Sequence, residues 1–199
     1  MRDAQATRRR LVRAVGRVLS TKGFAGLGVN ALAREAGVDK VLIYRYFDGL
    51  PGLIRTFGRE GDFWPSNEEL MGCRLEEFAL LPLEKRLQRL TVNFLHALRQ
   101  RPLTLEIMAW ELVERNELTE ELEQVREQSI LSILEQGFPE RSSLPDLEAM
   151  AAIVGAATSY LVVRSRRIRW YTGVDLQSES GWKRLETAFC RMISGVVPG

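Results

Sequence analysis

At 199 residues the chain is long enough to bury a core as one large domain, or as a small domain followed by a medium one. No apolar run approaches the roughly 20 residues of a membrane span, and the arginine-rich start, with no apolar stretch behind it, does not read as a secretory signal. The net charge of +2 hides two unlike parts: residues 1–59 carry 12 Lys/Arg against Asp3, Glu35, Asp39 and Asp48, whereas residues 60–199 carry 16 against 22, so the first third is a polyanion-binding candidate.

From Ala6 to Lys22, apolar residues recur at Leu11, Ala14, Val15, Val18 and Leu19, a helical stripe with Arg8, Arg9, Arg13 and Arg17 on its other sides. Gly23 supplies the stop. After a short glycine-containing connection, Val29–Ala36 reads as a compact second helix with Val29, Leu32, Ala33 and Ala36 facing inward. Gly37 ends it and Asp39 is placed to cap a third helix, Lys40–Phe47, which buries Ile43 and Phe47. Asp48-Gly49 breaks that helix, and a fourth begins near Pro51 with Leu53, Ile54 and Phe57 on its apolar side.

The polar stretch Asp62 to Asn67 reads as a loop or interrupted helix, which puts a junction between Arg59 and Glu68. Beyond it, Leu83, Leu87, Leu90, Phe94 and Leu98 form one stripe, and Pro102 opens a segment with Ile107, Met108, Trp110 and Leu112. Thr119 is the expected cap of a helix that ends at Gly137. Ser143 with Asp146 resembles a capping box before the most apolar helix, through Met150, Ile153, Val154, Ala157, Leu161 and Val162. A last helix holds Trp182, Leu185, Phe189, Met192, Ile193 and Val196. No strand or internal repeat stands out, so the expected class is all-α with about nine helices.

Val29–Phe47 is a short helix, a glycine turn and a second short helix, the grammar of a helix-turn-helix. Ala33 and Ala36 are small enough for two helices to approach, Gly37 accepts the turn and Val38 plugs the angle. The second helix then presents its N-terminal residues to base edges in the major groove.

The run from Thr7 to Phe57, with Ala-Arg-Glu-Ala-Gly-Val at 33–38, Ile-Tyr-Arg-Tyr-Phe at 43–47 and a first helix ending in Lys22-Gly23-Phe24, resembles the DNA-binding domain of the TetR (tetracycline-repressor) family. The later helices match that family by count and order only. The resemblance implies a homodimer that binds a palindromic double-stranded operator, commonly as a repressor released by a small-molecule effector. It implies a DNA-binding domain at residues 1–60 and an all-helical ligand-sensing and dimerisation domain at 61–199. Carried across, it makes Lys40, Val41 and Leu42 the base-facing residues, Tyr44, Arg45 and Tyr46 those nearest the phosphates, and Asn30 a contact from the second helix. Lys40 can donate to guanine, Val41 or Leu42 can meet a thymine methyl, and Arg45 and the tyrosines can bind phosphate. A core role for Val41 and Leu42 is the alternative.

Three positions depart from the family pattern. Gly28 stands where Thr or Ser usually caps the second helix, Leu50 where a lysine often anchors the fourth, and Val41 where glycine is frequent. Phosphate anchoring is then weaker or shifted to Arg8, Arg9 and Arg10, with Asp48 adding local repulsion.

By the same resemblance the last two long helices pair with their twofold mates through Met150, Val154, Ala157, Leu161, Phe189 and Ile193. Phe94, Met108, Trp110 and Tyr160, with His96 and Glu111 as polar contacts, are candidates to line an effector pocket, though aromatics at helical spacing also serve as core. The cluster Arg164, Arg166, Arg167 and Arg169 offers either an anion contact or a solvated helix end beside the dimer seam.

Cys73 and Cys190 lie far apart without CxxC or histidine neighbours, so neither a metal site nor a disulfide framework is expected, and a reducing cytoplasm fits. No cofactor is expected. There is no GxSxG, P-loop, HExxH or glycine-rich dinucleotide turn and a single histidine, so no enzyme is read. A helical protein-interaction module, such as an antiactivator that no longer binds an operator, stays open as the alternative.

Overall fold

A computed structural model of the protein describes residues 2–61, 63–113, 115–141 and 146–196. Among these residues the regular structure is helical apart from one short hairpin. The chain divides into two units, residues 1–64 with 103–128, and residues 65–102 with 129–199.

In the first unit, α1 (Arg2–Lys22) buries Leu11, Ala14, Val15, Val18 and Leu19, the expected stripe. Gly23, at φ 64°, ends it, and a single 3-10 turn, Phe24–Gly26, drops Phe24 into the core. Helix α2 (Val29–Ala36) buries Leu32, Ala33 and Ala36; α3 (Val41–Phe47) buries Ile43 and Phe47. Helix α4 (Leu50–Glu60) buries Leu53, Ile54 and Phe57. Each of the larger apolar side chains among these contributes about 1.5–3 kcal/mol on removal from water, before chain entropy is counted.

The remainder of the first unit comes from further along the chain, α8 (Pro102–Glu111) and the first part of α9 (Glu117–Gly137). Ile107 and Leu122 enter the same core. Gly58 lets α9 pass close, since a Cβ there would sit 3.0 Å from Leu122. Arg55 grips Glu121 with both nitrogens at 2.5 and 2.6 Å. Asn116, rather than the expected Thr119, caps α9: its Oδ1 accepts the amides of Leu118 and Thr119, while Thr119 Oγ1 accepts the amide of Asn116 at 2.9 Å. Thr119 is the reciprocal partner one turn in.

The second unit contains α5 (Asn67–Met71), α6 (Leu75–Ala79), α7 (Leu83–Arg99), the end of α9, α10 (Leu147–Ser165) and α11 (Glu179–Val196). Its core joins Leu70, Met71, Phe78, Ala97, Ile133, Leu134, Phe138 and Leu147. Arg86 is buried among them, donating to the carbonyls of Gly137 and Leu81, paired with Glu140 and lying over the Phe138 ring.

Among the described residues the helices outnumber the expected nine or so because α5 and α6, five residues each, are too short to show a period. The expected loop holds for residues 63–66, and Asp62 lies outside the described residues. Ser143, half of the expected capping box, also lies outside them; Asp146 begins α10 at φ 55° without a side-chain cap. The absence of strands needs one correction. Trp170–Tyr171 (β1) pairs antiparallel with Val174–Asp175 (β2) across Thr172-Gly173, both at positive φ, the two-residue turn whose twist suits a hairpin. Strands of two residues leave no alternation to read.

Candidate nucleic-acid interface

The turn between α2 and α3 rests on Gly37, at φ 64°, where the left-handed backbone lets the amides of Gly37 and Val38 return to Arg34 and Ala33. Val38 packs on the core. Asp39 Oδ1 accepts the amide of Val41 at 2.8 Å, satisfying an orphan donor at the start of α3. Helix α1 braces both neighbours. Arg17 pairs with Glu35 at the end of α2 at 2.6 Å; Arg8 donates to the carbonyl of Tyr46 at 2.8 Å and lies over the Phe47 ring. Gly52 closes the frame from the far side, because a Cβ there would collide with the carbonyl of Phe47.

Held this way, α3 presents one face outward. Val41 is 60 % exposed and Tyr44 59 %, with Lys40 and Arg45 exposed beside them and Asn30 exposed on α2. Leu42 and Tyr46 differ from the expectation: both are half-buried and pack against the core. The cause is helical geometry, since each residue turns the side chain by about 100° and these two flank the buried Ile43 and Phe47. Tyr46 also lies edge-on to Phe47 and near the Arg45 guanidinium.

Arg9, Arg10 and Arg13 are exposed along α1, whereas Arg8 is engaged on α3 and serves as a brace. Gly28 has no side-chain cap to offer α2, and a Cβ there would meet nothing within 4 Å. Leu50 packs on the core, an apolar use of its position. Asp48 ends α3 in the left-handed region at φ 60°.

The six residues named for an effector pocket are divided between the units, Met108, Trp110 and Glu111 in the first and Phe94, His96 and Tyr160 in the second. Both polar members already have side-chain partners. Glu111 holds Arg126 at 2.6 and 2.8 Å, and burial pushes its carboxyl above the ordinary range even though Arg126 pulls the other way. His96 lies 2.6 Å from Glu186, which also takes Lys183. Phe94 packs on the second core, Met108 is half-buried, and Trp110 and Tyr160 are exposed.

The expected dimer residues divide by burial. Leu161, Phe189 and Ile193 are buried within the second unit, and Met150, Val154 and Ala157 are half-buried. The free apolar face lies about one residue round the helix, with Ile153 70 % exposed, Tyr160 46 % and Ala152 and Ala156 beside them on α10, and Met192, 58 % exposed, with Ala188 on α11. Helix α10 is apolar on nearly every side, so periodicity could not distinguish the two faces. Against the expectation that no apolar run approaches a membrane span, it is long and apolar enough to cross a membrane by length and composition alone, with 22 % of its most apolar stretch buried.

Residues 11–54 match the family model of the bacterial regulatory proteins of the tetR family. No curated protein sequence matches the chain. Solved structures match over nearly the whole length. A TetR family transcription regulator from Marinobacter aquaeolei is 18 % identical with a TM-score of 0.59, covering 98 % of each chain. The transcriptional regulator FadR from Bacillus subtilis, in complex with stearoyl-CoA, is 17 % identical with a TM-score of 0.64, over 96 % of this chain and 99 % of that one. NalD, the secondary repressor of the MexAB-OprM multidrug efflux pump in Pseudomonas aeruginosa, is 18 % identical with a TM-score of 0.64, over 95 % and 96 %. At such identities the likeness is one of fold.

Proposed function

We propose, from the match of residues 11–54 to the model of the bacterial regulatory proteins of the tetR family and from the all-α fold shared with solved TetR-family structures, that the protein is a homodimeric repressor whose palindromic operator is released by a small molecule. The observation that carries this reading is the outward face of α3, with Lys40, Val41, Tyr44 and Arg45 exposed on a helix braced by Arg8, Asp39 and Gly52. Lys40 donates to a guanine edge and Val41 meets a thymine methyl. Tyr44, Arg45 and Asn30 hold phosphates, with Arg9, Arg10 and Arg13 adding attraction that carries no sequence information. Leu42 and Tyr46 position the helix from behind.

In this reading residues 1–60 read DNA in the cytoplasm, residues 61–199 dimerise and sense, and no catalytic step is involved. The uncovered apolar face of α10 and α11 supports self-association. An effector is supported by the fold shared with FadR, which was solved with stearoyl-CoA. A polar effector group that recruits His96 or Glu111 must displace Glu186 or Arg126.

Selection of bound duplexes from a random pool by the full-length protein tests the proposal. It should enrich inverted half-sites about one helical turn, roughly 34–36 Å, or a multiple apart. Failure to enrich any sequence over repeated rounds favours the protein-interaction module instead.

A further inference from the structure

The two ends of the uncovered α10 face carry opposite charge. Glu148 stands exposed in the first turn, 4.0 Å from Arg141. Arg164 stands exposed in the last turn, above the Tyr160 ring. Between them the exposed positions are small or apolar: Ala149, Ala152, Ile153, Ala156 and Tyr160. Two copies of one helix can meet across a twofold axis either parallel or antiparallel. Parallel pairing sets Arg164 against Arg164 and Glu148 against Glu148, a like-charge arrangement that is penalised at both ends. Antiparallel pairing sets each carboxylate against a guanidinium.

Resting on the dimer reading above, we infer that a second copy of this chain docks antiparallel on α10 with the twofold axis at Ala156, in a register set by Glu148 and the partner's Arg164. Ala156 lies midway between residues 148 and 164, so centring there brings both ion pairs into reach together. The same centring puts Tyr160 opposite the partner's Ala152, a large side chain facing a small one, and leaves Ala156 facing its own mate. Small residues at the crossing let the helices approach closely. Between the two charged ends the exposed members are apolar apart from the Tyr160 hydroxyl. Beyond the helix end, Arg166 and Arg169 are turned to the Pro102 carbonyl and to Asp175 of their own chain and Arg167 is exposed past the last turn; Arg164 is the cation that lies on α10 itself, one turn from Tyr160.

Sedimentation of the full-length protein and of three variants tests the register. Arg164→Glu and Glu148→Arg should each weaken the dimer at least about tenfold, since each creates like-charge pairs at two symmetric places. The double variant R164E/E148R should return to near the wild-type dimer constant. In a background with Cys73→Ser and Cys190→Ser, Ala156→Cys should form an interchain disulfide under mild oxidation, a bond that needs Cα atoms within about 7 Å. A double variant no stronger than the single ones, or an Ala156→Cys dimer that does not link, overturns the register while leaving a dimer in place. A wild-type monomer overturns the dimer reading itself.

Discussion

Gly52→Ala adds one methyl group to the first turn of α4, and two effects of opposite sign compete. Helix propensity favours alanine by about 0.8–1 kcal/mol, so an alanine without a clash would raise stability. The structure puts a clash there. The new Cβ would stand more than 1 Å inside the 3.0 Å that real Cβ atoms keep from their neighbours, and what it meets is the Phe47 carbonyl, backbone rather than a flexible side chain. Helices α3 and α4 must therefore separate. Overpacking of this kind costs about 1–3 kcal/mol, and a chain of this size loses roughly 2–4 °C of Tm for each kcal/mol. The net expectation is a Tm lower by up to about 8 °C, with a loss of operator affinity larger than the stability change explains, because α3 is the element displaced. Thermal unfolding by circular dichroism and fluorescence anisotropy on the selected operator measure the two. Gly28→Ser is the control, since its φ of −176° is ordinary extended backbone with open space around it, and a serine cap there should raise stability by a few tenths of a kcal/mol. A Gly52→Ala protein that is more stable than wild type with undiminished affinity would refute the packing argument.

Lys40→Ala should relax preference at one base pair per half-site, by about 1–3 kcal/mol, whereas Arg45→Ala should weaken binding to all sequences and reduce the salt slope by about one per protomer, so by about two for the dimer. Identical behaviour of the two, measured on a panel of single-base operator variants, would remove the division of roles along α3. In the second unit, hydrogen bonds from Arg86 hold the Glu140 carboxyl below its ordinary value of 4.5. A depressed folded-state value contributes stability above that ordinary value and loses it as pH falls through the lower one. Acid unfolding of wild type should therefore steepen below about pH 4.5, and Glu140→Gln, less stable at neutral pH, should lack that part of the pH dependence. Parallel stability curves for the two proteins across that range would contradict the role given to Arg86.

What sequence reasoning could reach followed the local punctuation. Helix α2 spans the expected Val29–Ala36 because Gly28 and Gly37 bracket it, and α3 starts within one residue of expectation because Asp39 and the Asp48-Gly49 pair mark its ends. Where signals are not local, reading failed. Arg8 counted as one more phosphate-seeking arginine, but 38 residues separate it from the Tyr46 carbonyl that it braces. Gly52 offered a hint, a glycine inside a helical pattern, without revealing the backbone it must approach. Leu42 and Tyr46 sit one position from buried neighbours, and a shift of one residue reverses the face. On α10 the sequence is apolar on both sides, and burial alone separates Val154 from Ile153. The effector residues had no punctuation to anchor them, and His96 and Glu111 turn out to hold partners distant in sequence.

The central claim is that the face of α3 formed by Lys40, Val41, Tyr44 and Arg45 reads sequence. Its most direct test is the ratio of dissociation constants for the selected palindrome and for a scrambled duplex of equal length, measured at physiological salt. The account predicts a ratio of roughly 10³ or more in favour of the palindrome. A ratio near one, with both duplexes released alike by added salt, would leave only electrostatic attraction and contradict it.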